Sequence, residues 1–288
     1  MPTIPAADYG LIRGSSTLSI DFPNELQDPD VELIEQDIYF STPYGESPSF
    51  QYLSIKNTKG DKCYVLSCKM HGWRYNVSRA DASRQVFWVL RAAGVARVLA
   101  EGGVGAMNHL LNPRDIVLPH DYMDFSVRKD VGLEGQYLLV MRDAICPEMR
   151  KTLQKVCEQG WDQGRIFDRG VYVNTDGRHF ESPAEINAYR IAGGDIVGQS
   201  ICPEVYLARE IGACYAGMYI VVNYAEGVIA PWKHEELADI YYHESLHLAN
   251  LMLTTLKNLP EEKACHCSQL RKETLLKEIY NKEERHGK

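Results

Sequence analysis

The sequence predicts a single α/β domain: a mixed, mostly parallel central sheet flanked by helices on both faces. Three observations lead there. Short apolar, β-rich runs alternate with helical patterns, the runs end in glycine or polar turns, and no internal repeat or low-complexity linker interrupts them. A length of 288 residues, with 45% apolar and 24% charged residues, is ample for one large core.

Taken in order, DYGLIRG reads as a strand entering the Gly14-Ser15-Ser16 turn, and CYVLSCKMHG as a strand ending in a basic, aromatic turn from His71 to Tyr75. DASRQVFWVLRAAG is an amphipathic helix with a glycine stop. VARVLAEGGVG is a buried strand ending in glycines, and DIVLPHDYMDF reads as one further strand. CPEMRKTLQKVCEQG is a helix and RGVYVNTDG a strand. SPAEINAYRIAGG opens with a Ser-Pro-x-Glu start signal, so it is a helix. DIVGQS is a strand, CPEVYLAREIG a helix and ACYAGMYIVVNYAEG a long strand. HEELADIYYHESLHLANLMLTTLKNL reads as one long helix. The domain is assigned to residues 1–258, and residues 259–288 to a charged helical extension of that last helix. In such sheets ligands gather beyond the carboxyl ends of the strands.

The formal net charge of −8 argues against a nucleic-acid partner, which would call for a basic face. An anion site must therefore be built locally against the chain's own field. No apolar run reaches membrane-spanning length, so no membrane partner is expected. The opening MPTIPAADYG lacks the charged and apolar regions of a secretory signal, and the expected location is the cytoplasm. The eight cysteines, several inside apolar runs, read as buried reduced thiols.

Two further patterns bear on metals. His243-Glu244-Ser245-Leu246-His247 satisfies H-E-x-x-H, which on a helix places two imidazoles on one face for zinc with Glu244 as base. A zinc peptidase would need a third ligand, for which Glu261, Glu262 and Glu273 have suitable spacing. The competing reading is an amphipathic helix packing Leu246, Leu248 and Leu251 inward. Cys265-His266-Cys267 is too compact for a usual tetrahedral site and is read as a feature of the tail, so no metal is expected.

The segment VYVNTDGRHFESPAEINAYRIAGGDIVGQSICPEVYLAREIGACYAGMYIVVNYAEG resembles the signature half of the purine nucleoside phosphorylase and methylthioadenosine phosphorylase family. YGLIRGSSTL resembles that family's phosphate-binding turn, and FSTPYGESPS a segment of its methylthioadenosine branch. LAEGGVGAMNHLLNPRDIVLPHDYMDF resembles its glycine turn and following strand. The similarity runs in order over roughly residues 8–255. It implies phosphorolysis of a purine nucleoside to free purine and ribose-1-phosphate, and a homotrimer. It implies phosphate as co-substrate and no cofactor. The chemistry rests on stabilising charge that develops only in the transition state.

Residue by residue, the resemblance assigns Asn223 and Glu181 to the departing base, with Glu181 accepting from the purine N1–H. A carboxylate there suits a 6-oxopurine, whose N1 is a donor, over adenine, whose N1 is an acceptor. Read locally, Glu181 is equally the acidic first turn of a helix. Ser15, Ser200, His71 and the main-chain amide near Ala100 are assigned to phosphate. Gln199, His234 and Phe180 are assigned to the ribose, His234 toward its 5′ end. Met70 stands where the methylthioadenosine branch carries its phosphate-binding Arg, Trp73 and Tyr75 replace the Arg and His of the purine branch, and Leu99 replaces a Thr or Asn. Either Arg74 or a neighbouring subunit then supplies the cation, or phosphate is not the nucleophile. A same-fold hydrolase or nucleoside-binding protein is the alternative. Glu101, where the family prefers a small residue beside the base, is expected to read an exocyclic amine, steer a water or face solvent.

Overall fold

The computed structural model describes residues 3–133 and 137–274. Its centre is an eleven-stranded mixed sheet. One path through it runs Ile166–Phe167, Ile116–Val117, Cys214–Tyr224, Arg97–Ala106, Tyr9–Ile12, Lys62–Cys68, Phe50–Lys56 and Val31–Ile38. The four strands from Cys214–Tyr224 to Lys62–Cys68 are parallel to one another, and the last two strands extend the sheet antiparallel. The far end of Arg97–Ala106 turns to pair antiparallel with Ile196–Gly198, which continues into Val171–Asn174 and Asp121–Asp124. The expected mixed, mostly parallel sheet is what forms, and six helices flank it.

The apolar runs become the buried strands. Leu11, Leu66, Val98, Leu99, Ala216 and Val221 are fully buried, as parallel strands covered on both faces require. Helices Arg79–Ala92 and Ile201–Ile211 pack against each other, as do Pro147–Gly160 and Ser245–Asn258. Helix Pro183–Ile191 starts with the expected capping box: the Ser182 hydroxyl accepts from the Glu185 amide, and the Glu185 carboxylate accepts from the Ser182 amide. No helix among the described residues is long and apolar enough to cross a membrane.

Three segments depart from the sequence expectation. DIVLPHDYMDF is two short strands, Ile116–Val117 and Asp121–Asp124, because the chain turns at Pro119 and the halves pair with different partners. The long C-terminal helix breaks into His234–His243 and Ser245–Asn258. At the break the Ser245 hydroxyl donates to the Ser16 carbonyl at 2.8 Å and Glu244 binds Arg114 Nε at 2.7 Å, so tertiary bonds override helical propensity.

Beyond Asn258 no helix continues. Residues 259–274 run through a loop and a short 3-10 turn, Cys267–Leu270, into a strand, Arg271–Glu273, paired antiparallel with Tyr137–Leu139. Leu259, Cys267 and Leu270 are buried, so this stretch packs on the domain and is no solvated extension. The rest of the 259–288 assignment lies outside the described residues.

The same break removes the peptidase reading. Glu244 is held by Arg114 instead of facing a metal. His243 is exposed and pairs with Asp239, whereas His247 bonds the Gly160 carbonyl and packs on Trp161. Among the described residues these two imidazoles gather no third ligand.

Leu99 is fully buried between Leu11 and Ala216 of the adjoining strands. Leu99→Ala is expected to cost about 2–5 kcal/mol, read as a lower urea midpoint with an unchanged slope.

Candidate active site

Two long strands set the geometry. Cys214–Tyr224 pairs with Arg97–Ala106 along almost its full length, with a register shift between Val221 and Asn223. Side chains of a regular strand alternate between faces. The irregularity breaks that alternation, so Val222 and Asn223 both line one cavity. Opposite them Gly102 and Gly103 present bare backbone. A Cβ on Gly103 would lie 2.6 Å from the Tyr241 hydroxyl oxygen and 3.1 Å from Val222, so a side chain there would close the space. The cavity measures ≈ 290 Å³ and lies at the carboxyl ends of the parallel strands.

Hydroxyl and imidazole groups form part of its lining. Ser15, His71 and Ser200 line it, delivered by the turns after Ile12, Cys68 and Gly198. Met70, His71 and Gly72 all have positive φ (52°, 55° and 75°), a tight turn that brings the imidazole back over the sheet. His71 Nδ1 faces Glu204 Oε1 at 2.7 Å, both groups buried. Glu204 Oε2 accepts from the Tyr215 hydroxyl at 2.8 Å. This fixes the ring with Nε2 toward Gly14 and Gly102, 2.7 and 3.7 Å from the Cβ positions those residues lack. The Ser15 hydroxyl donates to Tyr241 at 3.1 Å, and Ser200 bonds the Tyr172 hydroxyl through both backbone amide and side chain at 3.3 Å.

Beneath the first turn lies Glu101, fully buried. Its carboxyl receives the Gly14 amide at 2.5 Å, the Thr17 hydroxyl at 2.6 Å and the Ser16 hydroxyl. Burial pushes this carboxyl above the usual range, while the Thr17 hydroxyl, His71 and the Gly14 amide pull it back. Gly14 has no alternative here, since a Cβ would sit 2.4 Å from the Glu101 carbonyl oxygen.

The other side offers a polar reader and an aromatic wall. Glu181 is buried and accepts from the Thr175 hydroxyl at 2.5 Å. The Asn223 side-chain amide donates to the Tyr224 carbonyl at 2.7 Å, which orients its oxygen. Phe180 meets Trp232 edge-on, ring centroids 5.0 Å apart. Gln199 accepts from Arg79 Nη1 at 2.9 Å.

Ser15, His71, Phe180, Glu181, Gln199, Ser200 and Asn223 therefore line one cavity. Four expected residues do not join them. Arg74 turns away, its guanidinium donating to the Gly72 and Glu46 carbonyls and to Gln85. Ala100 is fully buried and paired with Ile12 on one side and Gly217 on the other, so its amide belongs to the sheet. Glu101 holds the turn instead of reading a base. His234 is an exposed helix start outside the cavity lining.

The cation that sequence reasoning missed is Arg79. It lines the cavity, stacks on Trp73 with its guanidinium carbon 3.8 Å from the ring centre, and donates to the Asp176 carbonyl at 2.5 Å. Burial first, and then the neighbouring Arg128 and Arg178, bring it down to about 10, still charged at neutral pH. A signal was present, because an Arg in the first turn of a helix opposes the helix dipole. Tyr241 and Glu204 were missed too, and Glu204 also carried a signal as an acid inside the apolar run ICPEVYLA.

Fold and cavity together define a mixed α/β protein whose cavity is lined by hydroxyl and cationic donors and by a carboxylate–amide pair. The chain belongs to the phosphorylase superfamily, whose sequence model matches residues 25–257. A 6-oxopurine nucleoside phosphorylase of Pyrococcus furiosus is 36% identical over 242 residues, 78% of this chain and 87% of that protein. A probable S-methyl-5′-thioinosine phosphorylase of Methanopyrus kandleri is 37% identical over 191 residues, 65% of this chain and 73% of its own. Among solved structures, a methylthioadenosine phosphorylase from an antarctic soil metagenomic library superposes with a TM-score of 0.73 at 22% identity. It covers 92% of this chain and 91% of that one.

Glu101→Ala would leave three buried donors without their acceptor. At about 1–3 kcal/mol for each orphaned group, an overall loss of about 3 kcal/mol or more is expected. Thermal and urea unfolding measure it, and a variant as stable as the parent would show that the carboxyl does not hold the turn.

Proposed function

We propose that this protein cleaves the N-glycosidic bond of a 6-oxopurine nucleoside by phosphorolysis, giving free purine and ribose-1-phosphate. It acts as a pentosyltransferase. The observation that supports the reading is that one cavity is lined by Ser15, His71, Arg79 and Ser200 together with Glu181 and Asn223. The first group suits a phosphate dianion and the second a purine edge, with space between them for a ribose against Phe180 and Gln199.

In this reading a phosphate oxygen bonds to C1′ as the C1′–N9 bond breaks, and the bonding pair leaves with the purine. A proton taken up at N7 from solvent, balanced by the one that the hydrogenphosphate gives up, neutralises the departing base. Glu181 accepts from N1–H; the Thr175 hydroxyl steadies it. The Asn223 oxygen accepts from N7–H as that proton arrives, and its amide faces the 6-oxo group, so the contact strengthens as charge develops. Arg79 takes the place of the guanidinium that Met70 lacks. His71, fixed by Glu204, turns Nε2 to the anion. The reaction involves neither electron transfer nor an electron sink, so no cofactor enters it. The family resemblance extends the proposal to a homotrimer acting in the cytoplasm. The relative named for S-methyl-5′-thioinosine extends the proposal to a nucleoside that carries a methylthio group at the 5′ position.

Base release from inosine or guanosine, followed with and without phosphate, tests the reaction directly. Phosphate-dependent release and trapped ribose-1-phosphate are expected, whereas equal release without phosphate would make the protein a hydrolase. Asn223→Ala is expected to lower kcat by about 10²–10³ with the fold intact by circular dichroism. Arg79→Met is expected to raise the KM for phosphate about 10-fold or more, from the loss of charge-assisted bonds of about 1.5–3 kcal/mol. Arg74→Met should leave that KM unchanged, and the reverse order would return the role to Arg74.

A further inference from the structure

The four cysteines Cys146, Cys214, Cys265 and Cys267 come from three distant stretches of the chain. Their sulfurs nevertheless all lie within 4.8 Å of one another. The Cys214 and Cys265 sulfurs are 3.4 Å apart, well beyond the roughly 2.05 Å of a disulfide bond. All eight cysteines of the chain are free thiols in the structure. A regular tetrahedron with bonds of about 2.3 Å to a central zinc places its sulfurs about 3.8 Å apart. The observed cluster brackets that spacing. We propose that Cys146, Cys214, Cys265 and Cys267 bind one zinc ion in a structural tetrahedral site.

The compactness of Cys265-His266-Cys267 seemed to exclude such a site, because two neighbouring thiols cannot surround an ion. The structure supplies the other two from elements adjacent only in the fold. Cys146 is the residue at the start of helix Pro147–Gly160, where the helix dipole favours a thiolate. Cys214 opens the long central strand.

The frame is fixed independently of any ion. The Cys146 amide donates to the Tyr215 carbonyl at 2.7 Å, and the Cys214 amide to the Ala96 carbonyl at 3.0 Å. Arg209 Nη1 holds the Cys267 carbonyl at 2.9 Å. Lys263 reaches the Ala96 carbonyl at 2.8 Å, and the Ala264 amide donates to Glu148 at 2.6 Å. Arg97 grips the carbonyls of Pro260 and Glu261. Three cations thus surround a centre that gains negative charge when thiolates bind a divalent ion. Three of the cysteines are buried and Cys265 is half-buried, beside a surface pocket that also touches Cys267 and offers an entry path.

Binding involves no change of oxidation state. Each zinc–sulfur bond forms as its thiol gives a proton to solvent, up to four protons per ion. A soft, all-sulfur, tetrahedral set selects zinc or iron among common divalent metals. With every coordination position taken by protein, zinc there has no open position for substrate. Its place agrees with that, because Cys214 and Asn223 mark opposite ends of one strand, about 30 Å apart at strand rise. The ion would pin the chain after Asn258 to the amino-terminal edge of the sheet.

Elemental analysis of the full chain, purified with reductant and without chelator, tests this. About one zinc per chain is expected, lost together with several degrees of Tm on dialysis against a strong chelator. Cobalt(II) in its place should show thiolate charge-transfer bands and the intense visible bands of a tetrahedral centre. Cys265→Ser, a change at a half-buried loop position, should fold and bind zinc at least about 10-fold more weakly. Cys63→Ser, on a distant strand, should keep the full zinc content. A reduced and folded chain that takes up no zinc from excess would overturn the proposal. So would iron in its place, or disulfides among these four cysteines in protein never exposed to oxidant.

Discussion

The parallel pairing of Arg97–Ala106 with Cys214–Tyr224 is the constraint on which the rest of the molecule depends. Both strands are buried along nearly their whole length, so neither can slip by one residue without turning its apolar set to the wrong face. That fixed register places Glu101 under the first turn, Gly102 and Gly103 in the cavity floor, and the irregularity that aims Asn223. It also fixes Cys214 at the opposite edge. A strand pair of this length acts as a ruler along which a ligand cavity and a cluster of thiols are held apart.

On that ruler the site is assembled by buried polar groups whose partners are all supplied. Glu204 holds His71 and Tyr215, Glu101 holds Gly14, Ser16 and Thr17, and Thr175 holds Glu181. Buried carboxyls of this kind are costly alone and tolerable only when hydrogen-bonded. Their use here is positional. They leave the cavity-facing atoms of Ser15, His71 and Asn223 with few accessible alternatives, so the cavity exists before a ligand arrives.

What the sequence disclosed follows from what is local. Helical spacing, the capping box at Ser182 and glycine stops are written in consecutive residues, and those elements formed where they were expected. The edge strand Val31–Ile38 was not recognised because acids interrupt the apolar residues of VELIEQDI and most of it is exposed, with two irregularities against its partner. The break at Glu244 depends on Ser16 and Arg114, residues more than a hundred positions away, and no helical pattern could reveal it. The same holds for the site. Glu181 and Asn223 were legible through ordered motifs. Arg74 and Arg79 are five residues apart, and which of them faces the cavity is decided by the fold: Gln85 and Glu46 draw one away while Trp73 and Gln199 hold the other in. The cysteine cluster was invisible for the same reason, since two of its four members lie far away in the chain.

The proposed anion site lies in an acidic chain and faces that chain's own field, and Glu101 and Glu204 are buried nearby. The two carboxyls answer differently. Glu204 lies directly against His71, so its charge is spent on an imidazole and not on the cavity. Glu101 is pushed upward by burial, which favours its neutral form. For an acid raised on folding, the stabilising balance holds at low pH and weakens as pH rises through the folded value. The Thr17 hydroxyl and the Gly14 amide, with the nearby His71, limit that loss, and the Thr17 and Gly14 donors are groups that would otherwise point at an anion. The turn thus carries an internal acceptor for its inward amides and hydroxyls, and only Ser15 is left facing outward. Specificity for an anion then rests on a few cavity-facing donors and on Arg79, whose charge survives its burial.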